Sequence, residues 1–221
     1  MSGGELFDAG TIRALGRRTV VVRRAVSPTL VLGSRQPDSI VERDALVADG
    51  VALLRRRSGG GAVLVEPGRA VWLDTWVPST DPLFSDDVGL SRQWIGSWWA
   101  RALDVDGLAV HDGPSSSSRW SALICFAGVA RGEVVHRGRK VVGVAQWRSR
   151  EGALTHSFAH LRTAWPRLVR LFADPEVEVA ADELATSTAA LGDLVGADEE
   201  QLVADLLGAL PEPASWDVRA D

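Results

Sequence analysis

Arg55-Arg56-Arg57-Ser58-Gly59-Gly60-Gly61-Ala62-Val63-Leu64-Val65 is the stretch around which the rest of this chain arranges itself. Apolar Val51-Ala52-Leu53-Leu54 runs into it as a strand, and the apolar run from Ala62 starts a second one. Between them, three glycines strip every side chain from a turn, so backbone N–H groups can approach a ligand closely. The flanking arginines add fixed positive charge and forked donors suited to a carboxylate or phosphate. The same letters also describe a glycine-rich hairpin loop with solvated arginines. They do not describe a Walker loop, because no Gly-Lys-Ser/Thr follows and the next element is a strand.

Upstream, Thr19–Val22 and Thr29–Leu32 read as strands, the second ending at Gly33. Ser39 with Glu42 predicts a capping-box start for a helix carrying Ile40, Val41, Leu46 and Val47 and stopping near Gly50. Residues 1–18 suggest a weakly helical opening. Downstream, Ala70–Val77 is a strand, and Ser85, Asp86 and Asp87 precede a long helix through about Leu103. Leu90, Trp94, Ile95, Trp98, Trp99 and Leu103 share one broad face of it, which is read as core rather than as a ligand-stacking box. His111 to Ser118 is a polar loop, and Ser121–Phe126 reads as a strand. Glu133–His136 and Val141–Trp147 predict a hairpin about Arg137-Gly138-Arg139, followed by a strand over Leu154–Leu161. Pro166 can open a short helix with Leu168, Val169 and Phe172, and Asp198 with Gln201 starts a final one with Leu202, Leu206, Leu207 and Leu210. No internal repeat is visible. The expected class is α+β, a central mixed, mostly antiparallel sheet flanked by helices.

A length of 221 residues with 46% hydrophobic composition and mean hydropathy near zero is ample for a core and is expected to form one domain over 1–221. No apolar run nears the ~20 residues of a membrane span, and no basic-then-apolar leader opens the chain, so no membrane association is expected. One cysteine and no leader predict a reducing, cytoplasmic setting. Net charge of −5 argues against nucleic acid as a partner. Of the 24 basic side chains, Lys140 alone is lysine. A compact ammonium with three rotatable donors does what the wide guanidinium fork cannot, which singles out this position.

Three spaced blocks then act together: Ser27-Pro-Thr-Leu-Val-Leu-Gly33, Arg56-Arg-Ser-Gly-Gly-Gly-Ala-Val63 and Gly138-Arg-Lys-Val-Val-Gly-Val-Ala-Gln146. In this order they resemble the lipoate–protein ligase and octanoyltransferase family of the biotin/lipoate ligase superfamily. The resemblance is strongest over 19–160, with 161–221 a helical C-terminal part and no accessory domain. It implies a lipoate/biotin-ligase type catalytic domain that attaches lipoate or octanoate to a lysine of lipoyl domains. Those belong to 2-oxoacid dehydrogenases or the glycine cleavage protein. It places Arg56, Arg57, Ser58, Gly59, Gly60, Gly61 and Ala62 around the acyl or acyl-adenylate pocket, and Lys140 at the acyl carbonyl. A preorganised donor there is worth on the order of 3–4 kcal/mol of barrier. Gly143 and Ala145 would keep one pocket wall low. No metal-ligand set is assigned to protein side chains.

Two routes follow from the resemblance. The leading one is a ligase using ATP and magnesium through an acyl-adenylate. The other resembles the cysteine-type octanoyltransferases, in which Cys125 takes octanoate from acyl carrier protein as a thioester. Cys125 also reads as a small buried hydrophobe. Arg131-Gly132-Glu133 stands where ligases often carry Arg-Asn-Asp, which weighs against adenylation. Ser157 stands where glycine is usual after His156 and is expected to shorten the acyl site, while His156 reads either as a proton shuttle or as a satisfied structural histidine. A non-catalytic member that binds an acyl group or adenylate is the third reading.

Overall fold

The computed structural model describes residues 16–220. Of the weakly helical opening expected over 1–18, positions 1–15 lie outside the described residues, and 16–18 form an irregular lead-in. The β-branched run expected as the first strand is β1 (Thr19–Arg23), followed by β2 (Thr29–Leu32). The next helix, α1 (Arg43–Ala48), starts later than the Ser39 capping box predicts. Asp38–Ile40 forms a separate 3₁₀ turn, and Glu42 itself caps α1 by accepting from Asp44 N–H. The helix ends at Gly50, whose φ of +61° is the left-handed conformation expected there.

β3 (Ala52–Arg55) and β4 (Val63–Val65) flank the glycine turn without pairing with each other. β2 lies between them, parallel to β3 and antiparallel to β4, in a three-stranded sheet ordered β3-β2-β4. The glycines are therefore a crossover around the end of β2, not the tip of a hairpin. Their arch is exposed to whatever stands beyond that end.

β5 (Ala70–Pro78) and α2 (Val88–Leu103) follow as expected, with Asp87 capping α2 through Gly89 and Leu90 N–H. Ile95, Trp98, Trp99 and Leu103 are buried, whereas Leu90 is exposed. After β6 (Leu108–Val110) and β7 (Ser116–Ser117) comes a departure from the sequence reading. Ser121–Phe126 is not a strand. Leu123 and Ile124 N–H both return to Trp120 O, only Ile124 makes a bridge (to Ala62), and Cys125–Ala127 is a 3₁₀ turn. A short buried apolar run satisfies its backbone as well by a local turn as by a ladder, and periodicity cannot separate the two.

β8 (Gly128–Val129) pairs with β7, and β9 (Val134–His136) with β10 (Arg139–Arg148) forms the predicted hairpin. Arg137 and Gly138 both take positive φ in its turn. β11 (Gly152–His160), α3 (Trp165–Val169), α4 (Ala180–Ser187), α5 (Glu199–Gly208) and β12 (Asp217–Ala220) complete the order. α4 and β12 have no counterpart in the sequence reading. The large sheet runs β12-β1-β5-β11-β10-β9-β6, with only the β12–β1 pair parallel. It is thus the mixed, mostly antiparallel sheet the sequence predicts. One face packs on α2 and α5 through Ile95, Trp98, Trp99, Leu202 and Leu206. The other faces the small sheet, α3 and α4 through Leu30, Trp72, Phe158, Leu168 and Leu184. The site lies on this second side. Among the described residues no helix is long and apolar enough to cross a membrane.

Candidate active site

Strand register decides which side chains reach the space between the two sheets. Arg23 stands opposite Trp72, Asp74 opposite His156, Phe158 opposite Gly143 and His156 opposite Ala145. With a period of two, all seven share one face of the large sheet. Ser157 falls on the other face, where it is fully buried and its hydroxyl donates to Leu73 O at 3.0 Å. The expectation that Ser157 trims the acyl site is therefore corrected by strand parity.

The glycine arch is sewn to the cysteine turn. Ala62 N–H donates to Leu123 O at 2.7 Å, and Cys125 N–H donates back to Ala62 O at 2.9 Å. At Gly61 a Cβ would stand 2.5 Å from the Ile124 carbonyl carbon, so only glycine permits this approach. Gln36 adds a further stitch by donating to Ala122 O and Leu123 O. Arg56 holds the arch from inside. Its guanidinium is buried and donates to Ser58 Oγ and to the Gly59 and Gly61 carbonyls, the last two at 2.8 Å. Burial lowers its pKa from the ordinary arginine value, and the Cys125 sulfur opposes that shift. Arg57, in contrast, points away and stacks over Trp147 at 5.5 Å from the ring centroid.

Lys140 is 2% exposed. Its three donors are all engaged: Cys125 O at 2.9 Å, Gly128 O at 2.9 Å and Glu133 Oε2 at 2.7 Å. Glu133 accepts in turn from Ala130 N–H at 2.8 Å and Val144 N–H at 3.1 Å. The ion pair thus clamps both ends of the turn that carries the thiol. A buried pair of this kind holds only when its remaining hydrogen-bonding capacity is filled, as it is here.

Two cavities open off this turn. A polar chamber of about 320 Å³ is walled by Gly59–Gly61, Lys140, Glu133 and Cys125, with Arg92 and Gln146 further along. A tight apolar cavity of about 30 Å³ is walled by Val31, Val63, Trp72, Phe126 and Phe158, with Gly143, Arg56 and His156 also on its lining. Cys125 and Ala145 alone line both. Arg57, Ser58 and Ala62 stand outside both linings, whereas Arg56, Gly59, Gly60, Gly61, Gly143, Ala145, His156, Cys125 and Lys140 are brought together. A Cβ at Gly143 would meet the Phe126 ring at 3.4 Å, so the missing side chain is room in the apolar cavity.

His156 rests on a buried carboxylate that sequence reading passed over. Its Nδ1 lies 2.6 Å from Asp74 Oδ1, and Asp74 also accepts from Trp72 Nε1 at 2.8 Å and Arg23 Nε at 2.9 Å. Burial alone would raise the Asp74 pKa, but His156 and Arg23 outweigh it and hold the carboxyl below its usual range. The signal was available: an arginine and an aspartate inside otherwise apolar strands need partners. Glu133 and Arg92 carried no such signal, because neither stands inside an apolar run. Among the described residues no group of three or more His, Cys, Asp or Glu side chains converges as a metal site.

The fold has known counterparts. An octanoyltransferase LipM from Kyrpidia tusciae is 33% identical over 136 residues, 58% of this chain and 49% of that protein. The match therefore spans about half the length of that relative. A bipartite lipoate protein ligase from Thermoplasma acidophilum, described alongside its E2 lipoyl domain, has the same fold. Its TM-score is 0.72 at 18% identity, over 92% of this chain and 74% of that one. A lipoate–protein ligase A bound with ATP gives 0.68 at 18% identity, over 92% and 75%. The family model of the lipoyl protein ligase A/B catalytic domain matches residues 13–195. With most of the chain accounted for by that match, the protein belongs to the lipoyl protein ligase A/B catalytic-domain family.

Proposed function

We propose that this chain moves an octanoyl-type acyl group from a carrier-bound thioester to a lysine of a lipoyl domain, with Cys125 holding the group in between. The observation that carries this reading is the position of Cys125 on the lining of both cavities. A tail entering the apolar cavity, which at about 30 Å³ has to widen to admit eight carbons, and a carrier arm in the polar chamber then meet at its sulfur. The similarity to an octanoyltransferase LipM supports the octanoyl-transfer reading.

The chemistry closes in two steps. The Cys125 thiolate attacks the donor carbonyl, the bond from that carbon to the carrier sulfur breaks, and the carrier leaves as a thiol after taking a proton. The ε-amine of the acceptor lysine then attacks the Cys125 thioester, an amide forms, and the amine proton returns to the sulfur. Arg56 stands near the sulfur with a buried charge that no carboxylate among the described residues neutralises, which suits a sulfur bearing negative charge during both steps. The Gly59–Gly61 backbone on the chamber wall offers N–H groups to the developing oxyanion. Lys140, with all three donors committed and its charge paired to Glu133, fixes the turn.

The ligase route is the second reading, favoured by the likeness to an ATP-bound ligase. The carboxylate on the chamber lining is Glu133, and both its oxygens are taken by Lys140, Ala130 and Val144. That donor set does not fit a magnesium ion, so no adenylation step is derived. Incubation with octanoyl-carrier protein and, separately, with lipoate, ATP and magnesium discriminates the two, with a lipoyl domain present. The expected result is an ATP-independent, hydroxylamine-labile octanoyl adduct on Cys125 that transfers to the lipoyl domain. Modification that needs ATP, releases pyrophosphate and survives Cys125→Ser would overturn the thioester route.

A further inference from the structure

The polar chamber holds two polar groups that neither the fold nor the chemistry above uses. Arg92, on α2, is half-buried and forms no hydrogen bond or ion pair with any described residue, its Nε being shielded from solvent. Gln146, on β10, donates through Nε2 to Ser91 Oγ at 2.8 Å and Thr155 Oγ1 at 2.9 Å. With both hydroxyls accepting from Nε2, Oε1 is left buried with no partner. Because Ser91 precedes Arg92 on the helix, the bond from Gln146 to Ser91 ties the two groups into one corner of the chamber. Native interiors rarely leave a buried acceptor and a guanidinium unmatched on the lining of one cavity, since each costs free energy until a partner arrives.

The stem of Arg92 is also held in place. At Gly132, where φ is +89°, a Cβ would lie 2.7 Å from both the carbonyl carbon and the Cβ of Arg92. At Gly96 on the same helix a Cβ would lie 2.4 Å from Gly132 O. α2 therefore presses directly on the 130–133 loop, and the corner is preformed.

We infer that this corner recognises a secondary amide of the donor's carrier arm, with Arg92 donating to the amide carbonyl and Gln146 Oε1 accepting its N–H. A cation and a bare acceptor together match the two ends of an amide, whereas a second anion would leave the acceptor unfilled. The size agrees: about 320 Å³ is the room of about ten water molecules, enough for an amide-bearing segment next to the thioester. The inference rests on the thioester route above and deepens it by naming what the chamber reads.

The test pairs two donors, the octanoyl thioester of N-acetylcysteamine and an octanoyl thioester in which the amide is replaced by a hydrocarbon of equal length. The wild type should favour the amide donor about tenfold in KM, with kcat little different between them. Arg92→Gln and Gln146→Leu should each reduce that preference severalfold, and Arg92→Lys should retain part of it. A purely structural role would instead weaken both donors alike and leave the preference intact, which would overturn the inference. The non-reacting octyl thioethers of the same two thiols, compared by calorimetry, keep the question separate from turnover. An Arg92-dependent preference in binding supports the amide site even if no acyl transfer is found, and equal binding by wild-type protein overturns it even if transfer proceeds. Should one variant fail to fold, the other still reads the same preference.

Discussion

Lys140 and Glu133 show how one side chain can be decisive without being free. Removing the ammonium alone, as in Lys140→Met, strands a carboxylate among buried groups and is expected to cost about 3–5 kcal/mol. Pairing it with Glu133→Leu should recover much of that loss, since two apolar side chains leave no orphaned charge. Urea denaturation of the two single variants and the double variant gives the coupling directly. Cys125 behaves differently. It is only partly buried, so Cys125→Ala should leave the melting temperature nearly unchanged while lowering carrier-dependent transfer at least about a hundredfold. Mass spectrometry should then find no acyl adduct. Composition isolated Lys140 as the sole lysine, whereas Cys125 was singled out by the family resemblance. What it could not supply was the partners, because the acceptors around Lys140 are carbonyls and a carboxylate whose spacing along the chain has no period.

At the scale of elements, the active region depends on two close approaches. Ala at Gly61 would drive a methyl into the Ile124 backbone, and neither segment can yield without breaking the Ala62–Cys125 stitches. Gly61→Ala should therefore cost about 1–3 kcal/mol and loosen the thiol turn, seen as faster amide exchange at Cys125 and Ala62. Gly132→Asn, which restores the asparagine common in related ligases, should destabilise by a similar amount because α2 already occupies the space. Strands with alternating or β-branched runs were legible with nearly correct bounds, as were α2 and α5 through their aspartate caps. Ser121–Phe126 and the path of the glycine arch were not. Both turn on which segment lies alongside, and β2 sits between β3 and β4 for reasons of sheet order that local sequence does not encode. The sequence-level placing of Ser157 in the pocket failed more simply, by one position of strand parity.

Across the whole molecule, His160 should make stability fall in acid. It is buried among Phe126, Phe158 and Trp165, and burial pushes its pKa from 6.5 to about 3. An unfolded chain binds the proton below about pH 6.5 while the native state refuses it until about pH 3. Stability is therefore full above that range and falls as pH drops through it, by up to about 1.4 kcal/mol per pH unit. His160→Phe fills the same aromatic nest without a titrating group and should flatten the decline, as chemical denaturation at a series of pH values would show. A decline of unchanged slope in that variant would place the acid sensitivity elsewhere.

The meeting of the two hollows at Cys125 and Ala145 has a consequence for how such a protein can diverge. On the proposed thioester route, changes at Val63 or Phe158 would retune which tail is accepted, and changes on α2 would retune which delivery partner is accepted, with neither edit touching the sulfur between them. Tail preference and partner preference are then separate traits that selection, or an engineer, can alter one at a time.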